Sequence, residues 1–190
     1  MRLFPVTALT LLLGSSAVIG AEPATEGIPH RHVADMLFEL AFANRTAYTK
    51  DVVQRLSMEE SVISASEQFK AEKGLPLPAQ MFRLSAEELL GNTDDFWLQL
   101  RSLSPINYAN GPITPVEEQG LEFVAANPGE RFYAEEKGLT GRRSLVAVYA
   151  DVASVDACVS CHNNHPGSPR NDFKLGDVMG GIIIRIFLDE

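Results

Sequence analysis

Cysteine is scarce. Cys158 and Cys161 are the only two in 190 residues, so at most one intrachain disulfide is available to the fold. Positive charge is also in short supply. Sixteen Lys and Arg stand against 25 Asp and Glu, a formal net charge of −9. That balance argues against nucleic acid and anionic membrane surfaces as partners, and favours a basic protein partner. Past the first twenty residues no apolar run is long enough to span a bilayer. There is no Gly-x-Gly-x-x-Gly, no phosphate-binding loop and no nucleophile elbow. Acid pairs such as Glu87-Glu88 and Glu117-Glu118 read as first-turn helix acids. No internal repeat is found. What the chain does have is an ordinary apolar fraction of 45%, which suits one domain with a real core and speaks against disorder.

The N-terminus reads as a targeting segment. Arg2 precedes an apolar stretch from Leu3 to Ile19, and Gly20-Ala21 offers small residues for cleavage. Residues 1–21 are therefore expected to be a secretory signal peptide, with a retained membrane anchor as the alternative. Residues 22–29 are polar and small and are expected to be a flexible N-terminus, leaving 30–190 as a single domain. Export implies an oxidising compartment, here the periplasm.

Apolar residues at Val33, Met36, Leu37, Leu40, Ala41, Tyr48, Val52 and Leu56 step by three or four, which predicts an amphipathic helix from Arg31 to Ser57. Ser57 with Glu60 predicts a second helix start, running to Lys73 and ending at Gly74. Leu75-Pro76-Leu77-Pro78 predicts an extended connector. Ser85 predicts a further helix start, and residues 92–103 a continuation as helix or turn. Thr114 and Pro115 predict a capped helix to Ala126. Residues 131–136 and 143–150 predict a hairpin across Gly138–Gly141, and Ser154 a cap for a short helix. The run from Ile182 to Leu188 predicts a strand after the Gly176-Asp177 turn. Helices first and strands last predict an α+β fold with N-terminal helices packed on a small antiparallel sheet.

The chemistry concentrates in Cys158-Val159-Ser160-Cys161-His162. A C-x-x-C-H spacing reads as a covalent c-type haem site: the thiols add across the two vinyl groups, and the histidine ligates the iron. Its rivals are weaker. A redox C-x-x-C belongs at the start of a helix following an early strand in a βαβ unit, and this one lies late in the chain. Zinc through Cys158, Cys161, His162 and His165 would need tetrahedral geometry from two adjacent residues. An inert disulfide is the third alternative. An exported chain also meets the cytochrome c maturation machinery, so the N-terminus and the motif agree.

The stretch from Ala157 to Arg170, followed by Asp172-Phe173-Lys174-Leu175-Gly176-Asp177-Val178-Met179-Gly180-Gly181, resembles a bacterial family of c-type haem domains with a PAS-like fold, first described from a cyanobacterial protein. Residues 75–83 and Pro105-Ile106-Asn107 are similar as well. The resemblance implies one haem, a long N-terminal helix on a PAS-like antiparallel sheet, and a periplasmic redox or sensing role. It carries haem attachment onto Cys158 and Cys161, and iron ligation onto His162. The described member takes a second axial ligand from a cysteine of its N-terminal helix, and this chain has no cysteine there.

The sixth iron position is thus open, and with it the potential. Tyr48 is a candidate from the core face of the first helix, its alternative being a packed aromatic with a hydrogen-bonded hydroxyl. Met81 is a second candidate, a thioether that would raise the potential. Met36 and His32 are further ones. His165 is too close to His162 to reach the other haem face. Arg83, Arg142, Arg143, Arg170 and Lys174 are candidates for propionate pairing, and surface charge is the alternative for each. The function expected is electron transfer or redox response with an unidentified redox partner protein, with enzymatic turnover such as peroxidase chemistry as a third reading. The alternative is a haem-based gas or redox sensor module that signals through a separate partner.

Overall fold

The computed structural model describes residues 27–138 and 141–188. The expected signal segment 1–21, residues 22–26 and the centre of the turn at 139–140 lie outside the described residues.

Two core faces sandwich a four-stranded antiparallel sheet. Its strands are β3 (Phe96–Arg101), β4 (Arg131–Lys137), β5 (Arg143–Val152) and β6 (Val178–Phe187), in the order β3-β6-β5-β4. β6 is interior and both its faces are covered, so its isoleucines run without alternation. Ile182, Ile184 and Ile186 pack with Leu145, Ala147 and Tyr149 of β5 on one face. Ile183 packs with Val146 and Val148 on the other.

The first face is covered by α1 (His30–Ala47) and α3 (Pro78–Leu90), through Ala34 and Phe82 with Val33, Leu37, Phe38, Ala41 and Phe42 around them. The second is covered by α4 (Pro115–Ala126), through Leu121 and Val124. α4 starts where its sequence predicts. Thr114 Oγ1 accepts the Glu117 N–H at 3.2 Å, and Pro115 occupies the first turn. The 131–137 and 143–152 strands form the predicted hairpin, and the long strand follows Gly176, which takes a left-handed φ of +87°.

Several expectations are corrected. The first helix runs two residues past its expected end at Ser57, but it is not an ordinary α-helix throughout. Past Ala47 it widens into a π-helical continuation, Tyr48–Glu59. The Thr49 hydroxyl donates to the Arg45 carbonyl at 2.7 Å, and the Arg55 guanidinium to the Asp51 carbonyl at 2.9 Å. Side chains occupying these carbonyls loosen the ordinary ladder, and Glu60 N–H reaches back five residues to Arg55. No second helix spans 57–73. The chain breaks at Ser61, whose φ is +53°, and forms β1 (Ala65–Ser66), a single turn α2 (Phe69–Glu72) and β2 (Leu75–Pro76), with β1 and β2 parallel. α3 begins at Pro78, seven residues before Ser85, which lies inside it with its hydroxyl on the Met81 carbonyl. Residues 96–101 form a strand, since Phe96, Leu98 and Leu100 alternate and can join the β6 edge. Met36 and Leu40 are exposed. The buried stripe of the first helix instead runs through Ala34, the half-buried Ala41 and Arg45, then Thr49 and Val53.

Candidate functional site

The motif sits on α5 (Asp156–Asn164), in the connection between the two interior strands β5 and β6. Ser154 is one residue too early to cap it: Val155 precedes the helix and no side chain bonds its first amides. Cys158, Cys161 and His162 fall at i, i+3 and i+4 and share one face. Both thiols are free. α5 has no fully buried residue, yet His162 Nδ1 is buried without any hydrogen-bond partner.

A second segment holds His162 from behind. Asn163 clamps the backbone of Phe173 twice, its amide donating to the Phe173 carbonyl at 2.9 Å and its oxygen accepting the Phe173 N–H at 3.0 Å. The Phe173 ring is buried and meets the imidazole edge-on at 5.9 Å between centroids. The Arg170 guanidinium lies over that ring, 4.2 Å from its centroid.

Charge surrounds the site. Arg45 of the first helix pairs with Asp151 at the end of β5. Burial holds the His162 imidazole below its ordinary pKa; Asp151 opposes that, while His165 and Arg45 add to it. The neutral imidazole, the ligating form, is thereby favoured. Burial, then the charges of Glu67 and Cys158, push the Cys161 thiol up. Glu67, between β1 and α2, also reaches His165 Nε2 at 3.5 Å, so the small parallel pair lies against the motif. Among the described residues no three His, Cys, Asp or Glu side chains cluster as metal ligands, which leaves the zinc alternative without a shell.

The remaining candidates are dispersed. The Tyr48 hydroxyl donates to the Pro76 carbonyl at 2.7 Å, the hydrogen-bonded packing named above as its alternative. Met81 lines an apolar groove of about 200 Å³ between α1, α3 and β3, with Leu37, Phe82 and Leu98; its sulfur lies 3.6 Å from the Ser85 hydroxyl. Neither motif cysteine nor His162 lines that groove. His32 and Met36 are exposed. Arg142 and Arg143 sit at the far end of β5, about 30 Å of strand from α5; Arg143 pairs with Glu135 and Arg142 stacks on Phe187. Arg83 pairs with Glu87. Of the basic candidates, Arg170 is beside the site, through Phe173. Sequence reasoning missed Arg45, Asp151, Asn163, Phe173 and Glu67. The available signal was an Arg and an Asp on faces otherwise destined for the core.

A family model described as Tll0287-like matches residues 30–186. A crystal structure of the cyanobacterial heme-protein Tll0287 superposes with a TM-score of 0.56 at 14% identity, over 86% of this chain and 99% of that one. At that identity the likeness is one of fold. No curated protein matches the chain.

Proposed function

The chain belongs to the Tll0287-like family, and from that premise we propose that it is a c-type haem protein, with one haem bonded to Cys158 and Cys161 and His162 on the iron. The observation that carries this reading is α5 itself. A nine-residue helix without a fully buried residue gains little from packing, yet it withholds an imidazole nitrogen from water and from every partner. Both features are costly for a bare helix and are explained by a flat apolar group laid on its cysteine face. The donor set fits: two free thiols one turn apart and an imidazole favoured in its neutral form.

Haem supplies, when bound, a one-electron couple between ferric and ferrous iron. The protein's own part is to hold and shield. Cys158 and Cys161 would hold the haem covalently, His162 would supply the imidazole for its iron, and Asn163 with Phe173 steadies the His162 ring. The wider reading is a periplasmic, PAS-like monohaem domain, exported by residues 1–21, loaded by the cytochrome c maturation machinery, and exchanging electrons with a redox partner protein.

The test is expression of the full chain with that machinery. The expected product keeps one haem after denaturation, with an intact mass raised accordingly. Cys158→Ala and Cys161→Ala should each lose one thioether bond, and the double variant should lose covalent haem altogether. A parent protein without covalent haem would overturn the reading. Carbon monoxide then separates the roles: a ferrous form that binds it rapidly contradicts simple electron transfer and favours sensing.

A further inference from the structure

Two charged side chains occupy stripes otherwise given to the core, and their pair lies at the end of β5 from which the chain leads into α5. Arg45 follows Ala34 and Ala41 along the inner face of the first helix. Asp151 follows Leu145, Ala147 and Tyr149 on the same face of β5. It sits where the register with β6 shifts between Asp151 and Val152, and such bulges re-aim side chains beside sites. The two residues are 106 apart in sequence, and their side chains are only 16% and 9% exposed. Arg45 Nη1 meets Asp151 Oδ1, while Arg45 Nε is buried and unpartnered, like His162 Nδ1. A buried ion pair stabilises a fold no better than apolar packing of the same volume. Here it joins the first helix to the strand that delivers α5.

We propose that Arg45 and Asp151 form an opposed charge pair that sets the one-electron reduction potential of a haem held at Cys158, Cys161 and His162. This rests on the haem reading above. Reduction takes one electron from a donor redox protein and turns ferric iron to ferrous; no bond breaks, and the charge of the centre falls by one. The Arg45 cation therefore favours the reduced state and the Asp151 anion the oxidised state. The two are positioning residues for charge; neither is assigned to the metal.

The experiment is a potentiometric titration of the haem-loaded full chain, followed by visible absorbance, after intact mass has established one covalent haem. Arg45→Gln is expected to move the equilibrium about tenfold toward ferric, about 59 mV lower. Asp151→Asn is expected to move it about tenfold the other way, and the double variant to return within about threefold of the parent. Arg45→Lys keeps the charge and should keep the parent's potential. Singles that shift in the same direction, or by less than about twofold, overturn the proposal, as does an Arg45→Lys shift equal to that of Arg45→Gln. A second readout is thermal unfolding of unloaded protein: each single loses stability by stranding a buried charge, and the double recovers part of it. A double loss as large as the sum of the singles overturns the pairing. If Arg45→Gln does not fold, Asp151→Asn decides, since a potential that fails to rise overturns the proposal. A parent that carries no haem fails at the mass measurement and overturns the haem reading itself.

Discussion

Arg185 is the one charge in the interior run of β6, and it does not stand alone. Its guanidinium donates to Glu117 Oε1 and to Ser144 Oγ, each at 2.9 Å, and forms an ion pair with Glu136 Oε1 at 2.6 Å. Glu117 is 1% exposed and accepts the Ile113 N–H as well. Replacing Arg185 by Leu would leave the buried Glu117 carboxylate and the largely buried Glu136 carboxylate without their shared cation. The expected loss is about 3–5 kcal/mol by chemical denaturation, and a loss under about 1 kcal/mol would show that the network relaxes to solvent. On the opposite face, Asp35 accepts from the Tyr133 and Tyr149 hydroxyls at 2.6 and 2.9 Å and from Arg131 at 2.9 Å. Burial pushes its carboxyl up, but the hydrogen bonds from the two tyrosines and Arg131 together outweigh it and hold the pKa below the ordinary 3.8. A depressed acid contributes stability that is present above the unfolded value and lost as pH falls through the lower folded value. The stability gap between the parent and Asp35→Asn should accordingly be widest near neutral pH and close through the acid range, as measured by urea unfolding at stepped pH.

At the scale of elements, close packing decides between α4 and the sheet. A Cβ added at Gly120 would lie 2.5 Å from Val148 Cγ2 and 2.8 Å from Phe132 Cδ1. Gly120→Ala should therefore destabilise by about 1–3 kcal/mol through overpacking, although alanine is the better helix former; a stabilised variant would mean that α4 can lift off the sheet. The same scale explains what the sequence reveals. α4, the hairpin and β6 are legible because their signals are local: Thr114 before Pro115, the glycines of 138–141 between two candidate strands, and an unbroken isoleucine run. The motif on α5 is legible for the same reason, with its three side chains within five positions. β3 is obscured because Asn92, Asp94 and Asp95 imitate helix-cap chemistry just ahead of the strand. The Ser57 boundary misleads because a capping pattern inside a helix looks like the start of one. The pairing of Arg45 with Asp151 cannot be read locally at all, since it depends on where a long helix crosses the end of a strand.

Over the whole molecule, stability is divided unevenly, and the division bears on function. β5 and β6 carry the core on both faces. α5 makes no extensive contact with any other element and is tied down by Asn163, Phe173 and the short bonds around 153–177. Segments with few buried contacts open at low free energy, while core strands exchange only through global unfolding. Native-state hydrogen exchange of the protein lacking covalent haem, the Cys158→Ala/Cys161→Ala double variant, should thus find the 156–164 amides among the fastest of the helical ones, and the central amides of β5 and β6 the slowest. Covalent loading of the parent should slow α5 and the neighbouring stretch around Arg45 and Thr49, because a ligand that binds only the folded site stabilises what it touches. It should leave the 135–137 end of β4 nearly unchanged, since that end pairs with residues 143–145 at the opposite end of β5. An α5 equally protected with and without haem would mean that the helix is held by the protein alone, and the packing argument for a flat group on its cysteine face would fail.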